Sequence, residues 1–270
     1  MIELTLLAAG SCRHPEWVTI QGGGRKPIQI PALFALLRHP TLGPILYDTG
    51  YAPRFFDQTR RLPALVYRWI TPVQVADEQT AVAQLRRLGI APAAVRLIIL
   101  SHFHADHLGG VLDFPNARFI YLPSAWAAVR AQRGMAAVRR AFLPGLLPPD
   151  FEARSLPLRK RLPLPPAFAP FTEGYDVLGD GSVLGVQLDG HATGQLGIIV
   201  GETFLCADAA WSSAAVRANR PPHPLARVIM DDPVAYRANF GALHELHRRN
   251  PSLRIIASHC GEVPTGVLPC

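Results

Sequence analysis

Lysine is almost missing from this sequence. Of its 27 basic residues only Lys26 and Lys160 are lysine, and the rest are arginine. Cysteine is scarce as well: Cys12, Cys206, Cys260 and Cys270 form no Cys-x-x-Cys pair. Four thiols in 270 residues make no disulfide framework, so reduced thiols in a cytoplasm are expected. No apolar run approaches the roughly 18 residues of a membrane span. Charged residues are few, 17% against 49% hydrophobic, which excludes a wholly disordered chain.

The formal charge of +7 invites a nucleic-acid reading. Arginine, alanine, proline and glycine are all abundant, however, and a GC-rich coding sequence would produce that bias without any polyanion. The arginines are scattered, with local pairs at Arg60-Arg61, Arg86-Arg87, Arg139-Arg140 and Arg248-Arg249. The length suits one large domain over 1–270, and no repeat or low-complexity linker divides it.

The N-terminus, Met1 to Cys12, superficially suggests a lipoprotein signal, but Glu3 stands where positive charge belongs. Alternation at Leu4, Leu6 and Ala8 instead predicts a strand over 2–9 and a turn at Gly10-Ser11. Further strands are predicted at 32–38, 44–47, 95–100, 118–122, 183–188, 195–200, 203–207 and 253–257. Helices are predicted over 77–88 with Asp77 as cap, from Ser124, and over 234–249. Residues 144–170 are proline-rich and read as a loop or cap. Strands dominate both halves and helices occur in each, which suggests two stacked sheets flanked by helices.

The chemistry concentrates after the predicted strand at 95–100. There His102-Phe-His104-Ala-Asp106-His107 puts four potential ligands into six positions. Chance would produce this pattern in about 6 of 10,000 shuffled chains, so a cluster of solvated histidines is a poor account of it. His102 and His104 suit one centre, and Asp106 and His107 a second. Imidazole with one carboxylate suits zinc, and each catalytic metal needs about three protein ligands. More ligands must therefore come from farther along the chain. His191, Asp208 and His259 each follow a predicted strand. His14, His39, His223, His244 and His247 lack this context, and the last two are expected on a solvent face of their helix.

The ordered set of Asp48-Thr-Gly50, the His102–His107 motif, His191 in Gly-His-Ala-Thr-Gly, Asp208 and His259 resembles the metallo-β-lactamase superfamily. The resemblance spans nearly the whole chain. It implies an αββα sandwich of two mixed β-sheets flanked by helices, with two divalent metal ions at one edge. Zinc is the expected metal, with iron or manganese as alternatives. By that match His102, His104 and His191 hold one metal, Asp106, His107 and His259 the other, and Asp208 bridges them. A hydroxide between two cations then serves as nucleophile near pH 7, with Asp106 and Asp208 as the catalytic carboxylates. Asp48 stands behind the ligands as an acceptor for an imidazole N–H, or simply forms a turn.

The substrate is less legible. The layout around Tyr51–Val73 looks like N-acyl homoserine lactonases, where such a segment lines an acyl pocket or makes a dimer contact. Phe55, Tyr67 and Trp69 are the candidate lining residues, and ordinary core packing is the alternative. An apolar cap is expected around 136–170. In the lactonases a tyrosine follows the bridging Asp by three residues; here that position is Trp211, which weakens a lactonase assignment. Trp211 joins the candidate pocket. The expected activity is hydrolysis of a small lactone or thioester with an apolar acyl portion, with no nucleic-acid partner. A phosphodiesterase or nuclease is the alternative, and an iron-dependent oxygenase or a non-hydrolytic binding protein the third reading. Cys260 is expected to be a buried, inert thiol.

Overall fold

The computed structural model describes residues 1–262 and 265–268; Cys270 lies outside them. Among the described residues two mixed β-sheets stack face to face. The first contains β1 (Glu3–Pro15), β2 (Pro27–His39), β3 (Gly43–Tyr47), β4 (Val73–Gln74), β5 (Leu97–Ile99), β6 (Arg118–Tyr121) and β7 (Ser155–Pro157). The second runs through β8 (Arg161–Pro163), β9 (Glu173–Asp176), β10 (Leu184–Gln187), β11 (Leu196–Val200), β12 (Thr203–Leu205) and β13 (Arg254–Ile256). A last strand, β14 (Gly266–Leu268), returns to the first sheet beside β1.

Alternation along a strand explains the layering. Leu33, Ala35 and Leu37 of β2 face the space between the sheets, while Phe34 and Leu36 face the helices. Successive side chains point to opposite faces, so a strand covered on both sides reads as one apolar run. The helical layer on the outer face of the first sheet includes α1 (Arg54–Gln58), α2 (Leu65–Ile70), α3 (Ala81–Arg87), α4 (Ala105–Leu108), α5 (Pro123–Val129) and α6 (Gly134–Arg139). In the second half come α7 (Ser213–Arg217) and α8 (Pro233–Arg249). Tyr236, Phe240, Leu243 and Leu246 form the buried stripe of α8. The αββα order expected from the sequence is the observed one.

Several local expectations need correction. The first strand does not turn at Gly10-Ser11; it passes through a bulge there and continues to Pro15. Gly10 adopts φ +73°, and a Cβ on it would lie 2.8 Å from Val75 Cβ, so only glycine fits where β4 packs. Asp77 does not cap the helix that follows. Residues 77–79 form a separate short turn, and Thr80 Oγ1 accepts the Ala83 N–H instead. Residues 144–170 are not irregular throughout, because β7 and β8 close one edge of each sheet. Proline is tolerated there because edge strands leave ladder positions unpaired. His244 and His247 are half-buried rather than solvent-facing, and His244 Nδ1 lies 2.8 Å from the Val216 carbonyl. No helix among the described residues is long and apolar enough to cross a membrane.

Candidate metal centre

Strand direction builds the site. β3, β5 and β6 are parallel neighbours, and so are β12 and β13. Side chains just past their carboxyl ends collect at one edge, where open α/β sheets place their ligands. Asp48 follows β3, and His102 and His104 follow β5. His191 follows β10, Asp208 follows β12 and His259 follows β13. Asp106 and His107 lie on α4, a single turn whose four residues are all buried.

Two groups of ligand atoms result. One is His102, His104 and His191; the other is Asp106, His107, Asp208 and His259. Within each group the atoms lie within 4.8 Å of one another. His191 Nε2 is 3.0 Å from His104 Nδ1. Asp208 reaches both groups: its Oδ2 is 3.2 Å from His191 Nε2 and 3.0 Å from His259 Nε2, and its Oδ1 is 3.5 Å from His107 Nε2. His102 Nε2, His107 Nε2 and Asp208 Oδ1 are buried without a hydrogen-bond partner. Three such atoms, one in the first group and two in the second, are costly unless something satisfies them, and cations do so. The residues present therefore fit a metal.

The surrounding groups orient the rings. Asp48 is fully buried; its Oδ2 accepts from His107 Nδ1 at 2.7 Å and its Oδ1 accepts the Ser101 N–H at 2.8 Å. Ser101 Oγ lies 3.0 Å from His102 Nδ1 and 3.2 Å from His107 Nδ1. The Pro31 carbonyl accepts from His259 Nδ1 at 2.8 Å. With Nδ1 holding the proton, Nε2 of His107 and His259 is left facing the cluster. Ser101 and Pro31 were not legible as site residues: Ser101 hid beside the motif, and a backbone carbonyl carries no sequence signal.

Protonation follows burial and charge. Burial holds His102 and His191 below the ordinary imidazole value and brings His104 down to about 3, so these three are neutral donors of a lone pair. Burial also opposes charge on His107 and His259, but carboxylates outweigh it. Asp106, Asp48 and Asp208 push His107 well up, and Asp208 and Asp106 do the same for His259. Burial would raise Asp106 and Asp208, yet the facing imidazoles hold both carboxyls low.

The expected pocket residues divide. Phe55 is enclosed edge-on by Tyr51, Phe56 and Tyr67 and has no exposed face, so it belongs to the helical layer rather than to a pocket wall. Trp69 is 65% exposed and faces solvent. Tyr67 is buried beside the Ala105 N–H and within the field of Asp106. Trp211 is buried, its ring 5.7 Å from that of His191 and nearly perpendicular to it, with no partner for Nε1. Cys260 is buried and accepts the Ser213 N–H, outside both ligand groups.

Comparison with known proteins agrees with this geometry. Residues 34–246 match the family model of the metallo-beta-lactamase superfamily. N-acyl homoserine lactonase AttM of Azorhizobium caulinodans is 31% identical over 223 residues, covering 78% of this chain and 77% of that one. A probable metallo-hydrolase of Mycobacterium tuberculosis is 30% identical over 251 residues, covering 83% and 75%. Among solved structures, an N-acyl homoserine lactone hydrolase with N-hexanoyl-L-homoserine bound at its catalytic metal centre superposes with a TM-score of 0.69. It has 20% identity and covers 96% of this chain and 94% of that one. AidC, described as a dizinc quorum-quenching lactonase, superposes at 0.64 with 17% identity, covering 99% and 94%. The buried histidine–aspartate cluster, the stacked mixed sheets and these relatives place the chain in the metallo-beta-lactamase superfamily as a lactonase-like, metal-dependent hydrolase.

Proposed function

We propose that this chain hydrolyses a small lactone or thioester with an apolar acyl portion, using two divalent ions, zinc foremost. The observation that carries the reading is the convergence of seven ligand residues, five buried and two half-buried, into two groups joined by Asp208. His102, His104 and His191 would hold one ion, Asp106, His107 and His259 the other, and Asp208 both. When bound, such ions lower the pKa of a water and polarise an ester carbonyl. Asp48, Ser101 and the Pro31 carbonyl keep the imidazoles turned toward the ions. We read residues 1–270 as one domain. Its apolar segment Ala137 to Phe151 packs Ala137, Val138, Phe142, Leu143 and Leu146 into the helical layer beside the site. Exposed Leu62, Trp69 and Ile70 support a homodimer contact on α2 and the turn before it.

The relatives named as lactonases support the ester reading over a nuclease. So does the pairing of arginines with acids, as in Arg54–Asp113 and Arg140–Asp231, which leaves those cations engaged rather than free for a polyanion. Elemental analysis with a panel of lactones, thioesters, aryl esters, phosphodiesters and β-lactams tests the reading. Turnover of a lactone or thioester with two ions per chain is expected. His104→Ala or Asp208→Ala should abolish turnover and lower metal content; full activity with unchanged stoichiometry refutes the assignment.

A further inference from the structure

The distal ring nitrogens of the ligands are not held alike. His107 donates to Asp48 and His259 to the Pro31 carbonyl, and Ser101 Oγ sits against His102 Nδ1. His191 Nδ1 is buried with no partner. A metal-binding histidine normally has its second nitrogen fixed by a carboxylate, carbonyl or water. No side chain or carbonyl among the described residues holds His191 Nδ1, so the backbone of its loop shares with the neighbouring rings the task of placing it.

One carboxylate brackets that backbone. Asp231 Oδ2 accepts from both the N–H and the hydroxyl of Thr193, each at 2.8 Å, two residues past His191. The Asp231 N–H donates to the His191 carbonyl at 3.3 Å, and the Asp232 N–H to the Gly190 carbonyl at 2.9 Å. Arg140 Nη1 then donates to the same Asp231 Oδ2 at 2.5 Å. The residue after Arg140 holds the other ligand loop: the Ala141 carbonyl accepts the Ala105 N–H at 3.0 Å, directly after His104. Ala141 has φ +46°, a backbone region that non-glycine residues occupy at a cost. His104, Arg140, Thr193 and Asp231 also line one small recess.

We propose that Asp231, braced by Arg140, is a positioning residue that holds the His191 loop at the correct distance from His104. The inference rests on the two-ion reading above. Asp231 touches neither ligand nitrogen; it acts through Thr193 and the His191 backbone. It also joins two segments far apart in sequence, since β11 and β12 intervene in the chain between His191 and Asp231.

The test is Zn2+ and Co2+ binding to the full chain by competition with a chromophoric chelator, alongside kinetics on whichever ester the wild type turns over. The variants are Asp231→Ala, Asp231→Asn and Arg140→Gln. Wild type should take up two ions tightly. Asp231→Ala should weaken one of them by about 10- to 100-fold, the usual effect of removing a group behind a ligand, and leave the other unchanged. It should also change the Co2+ visible spectrum and lower kcat more than it changes KM. Asp231→Asn, which still accepts from Thr193, should recover most of the affinity. Arg140→Gln, at a half-exposed side chain, carries the same test if Asp231→Ala does not fold, with a smaller loss in the same ion. Two tight ions, an unchanged Co2+ spectrum and unchanged kcat in both Asp231→Ala and Arg140→Gln overturn the proposal. A wild type that takes up no more than one ion refutes the two-ion reading itself.

Discussion

Asp48→Asn isolates the tautomer of one ligand. The carboxylate is fully buried and accepts from two N–H groups, of Ser101 and of His107. Asparagine offers one oxygen and one NH2 group, so it cannot serve both neighbours. If the oxygen stays on Ser101, the NH2 confronts His107 Nδ1–H. One outcome is a buried N–H without an acceptor, at about 1–3 kcal/mol. The other is transfer of the His107 proton to Nε2, the nitrogen facing Asp106 and Asp208. Either way the metal loses. The backbone is spared, because Asp48 sits at φ +60°, which asparagine tolerates.

The expected loss is about 10- to 100-fold in metal affinity, or roughly 1.4–2.8 kcal/mol. It should fall on the ion that, on the proposed two-ion reading, Asp106, His107 and His259 would hold. Zn2+ competition titration reads it directly, and near-identical circular dichroism would show that the fold survives. Asp48→Asn protein that binds both ions as tightly as wild type would refute the orienting role and leave Asp48 as a turn-forming residue.

Metal uptake should release protons. In the metal-free protein the raised values of His107 and His259 mean their ion pairs stabilise the fold fully below about pH 6.5, and that contribution is lost as pH rises through the higher folded-state values. A metal must displace those protons, so affinity should rise with pH; titration calorimetry in buffers of different ionisation enthalpy measures the release, and none at neutral pH would contradict it. Chelation should lower thermal stability: an ion at 1,000 times its Kd contributes about 4 kcal/mol, or roughly 10 °C at 2–4 °C per kcal/mol. A scanning-calorimetry midpoint indifferent to chelator would count against any bound ion. Burial raises the Cys12 thiol to about 11 and Cys206 higher still, so neither should alkylate readily at pH 8 in the folded protein. Mass spectrometry before and after unfolding checks this.

What the sequence revealed depended on how local each signal was. The His102–His107 motif was legible because four ligands share one loop and one helical turn. His191, Asp208 and His259 were legible because each follows a strand whose apolar run is unmistakable. β8 and β9 were missed: Gly174 interrupts β9 and Pro163 ends β8, and both owe their conformation to pairing. The bulge at Gly10 was misread as a turn, since glycine permits both and only the packing of Val75 decides. Phe55 and Trp69 share one apolar stretch, yet one is enclosed and the other exposed. Composition cannot separate two residues whose burial is set by neighbours far along the chain.

The division of ligands between the sheets follows from the same topology. The loops after β3 and β5 supply Asp48, His102, His104, Asp106 and His107, while the second sheet supplies His191, Asp208 and His259. Neither sheet alone supplies all of His102, His104 and His191, or all of Asp106, His107 and His259. The site exists only when Leu33, Ala35 and Tyr47 of one sheet are packed against Leu205 and Ile256 of the other. The Tyr47 hydroxyl, donating to the Leu196 carbonyl at 2.7 Å, and the Leu196 N–H, donating to the Ser101 carbonyl at 2.8 Å, stitch the sheets together one residue from His102. A bound ion would span this same seam, so its binding energy and the packing of the sandwich act on one interface. That linkage makes the seam between the sheets, rather than either loop, the element whose order the ions report.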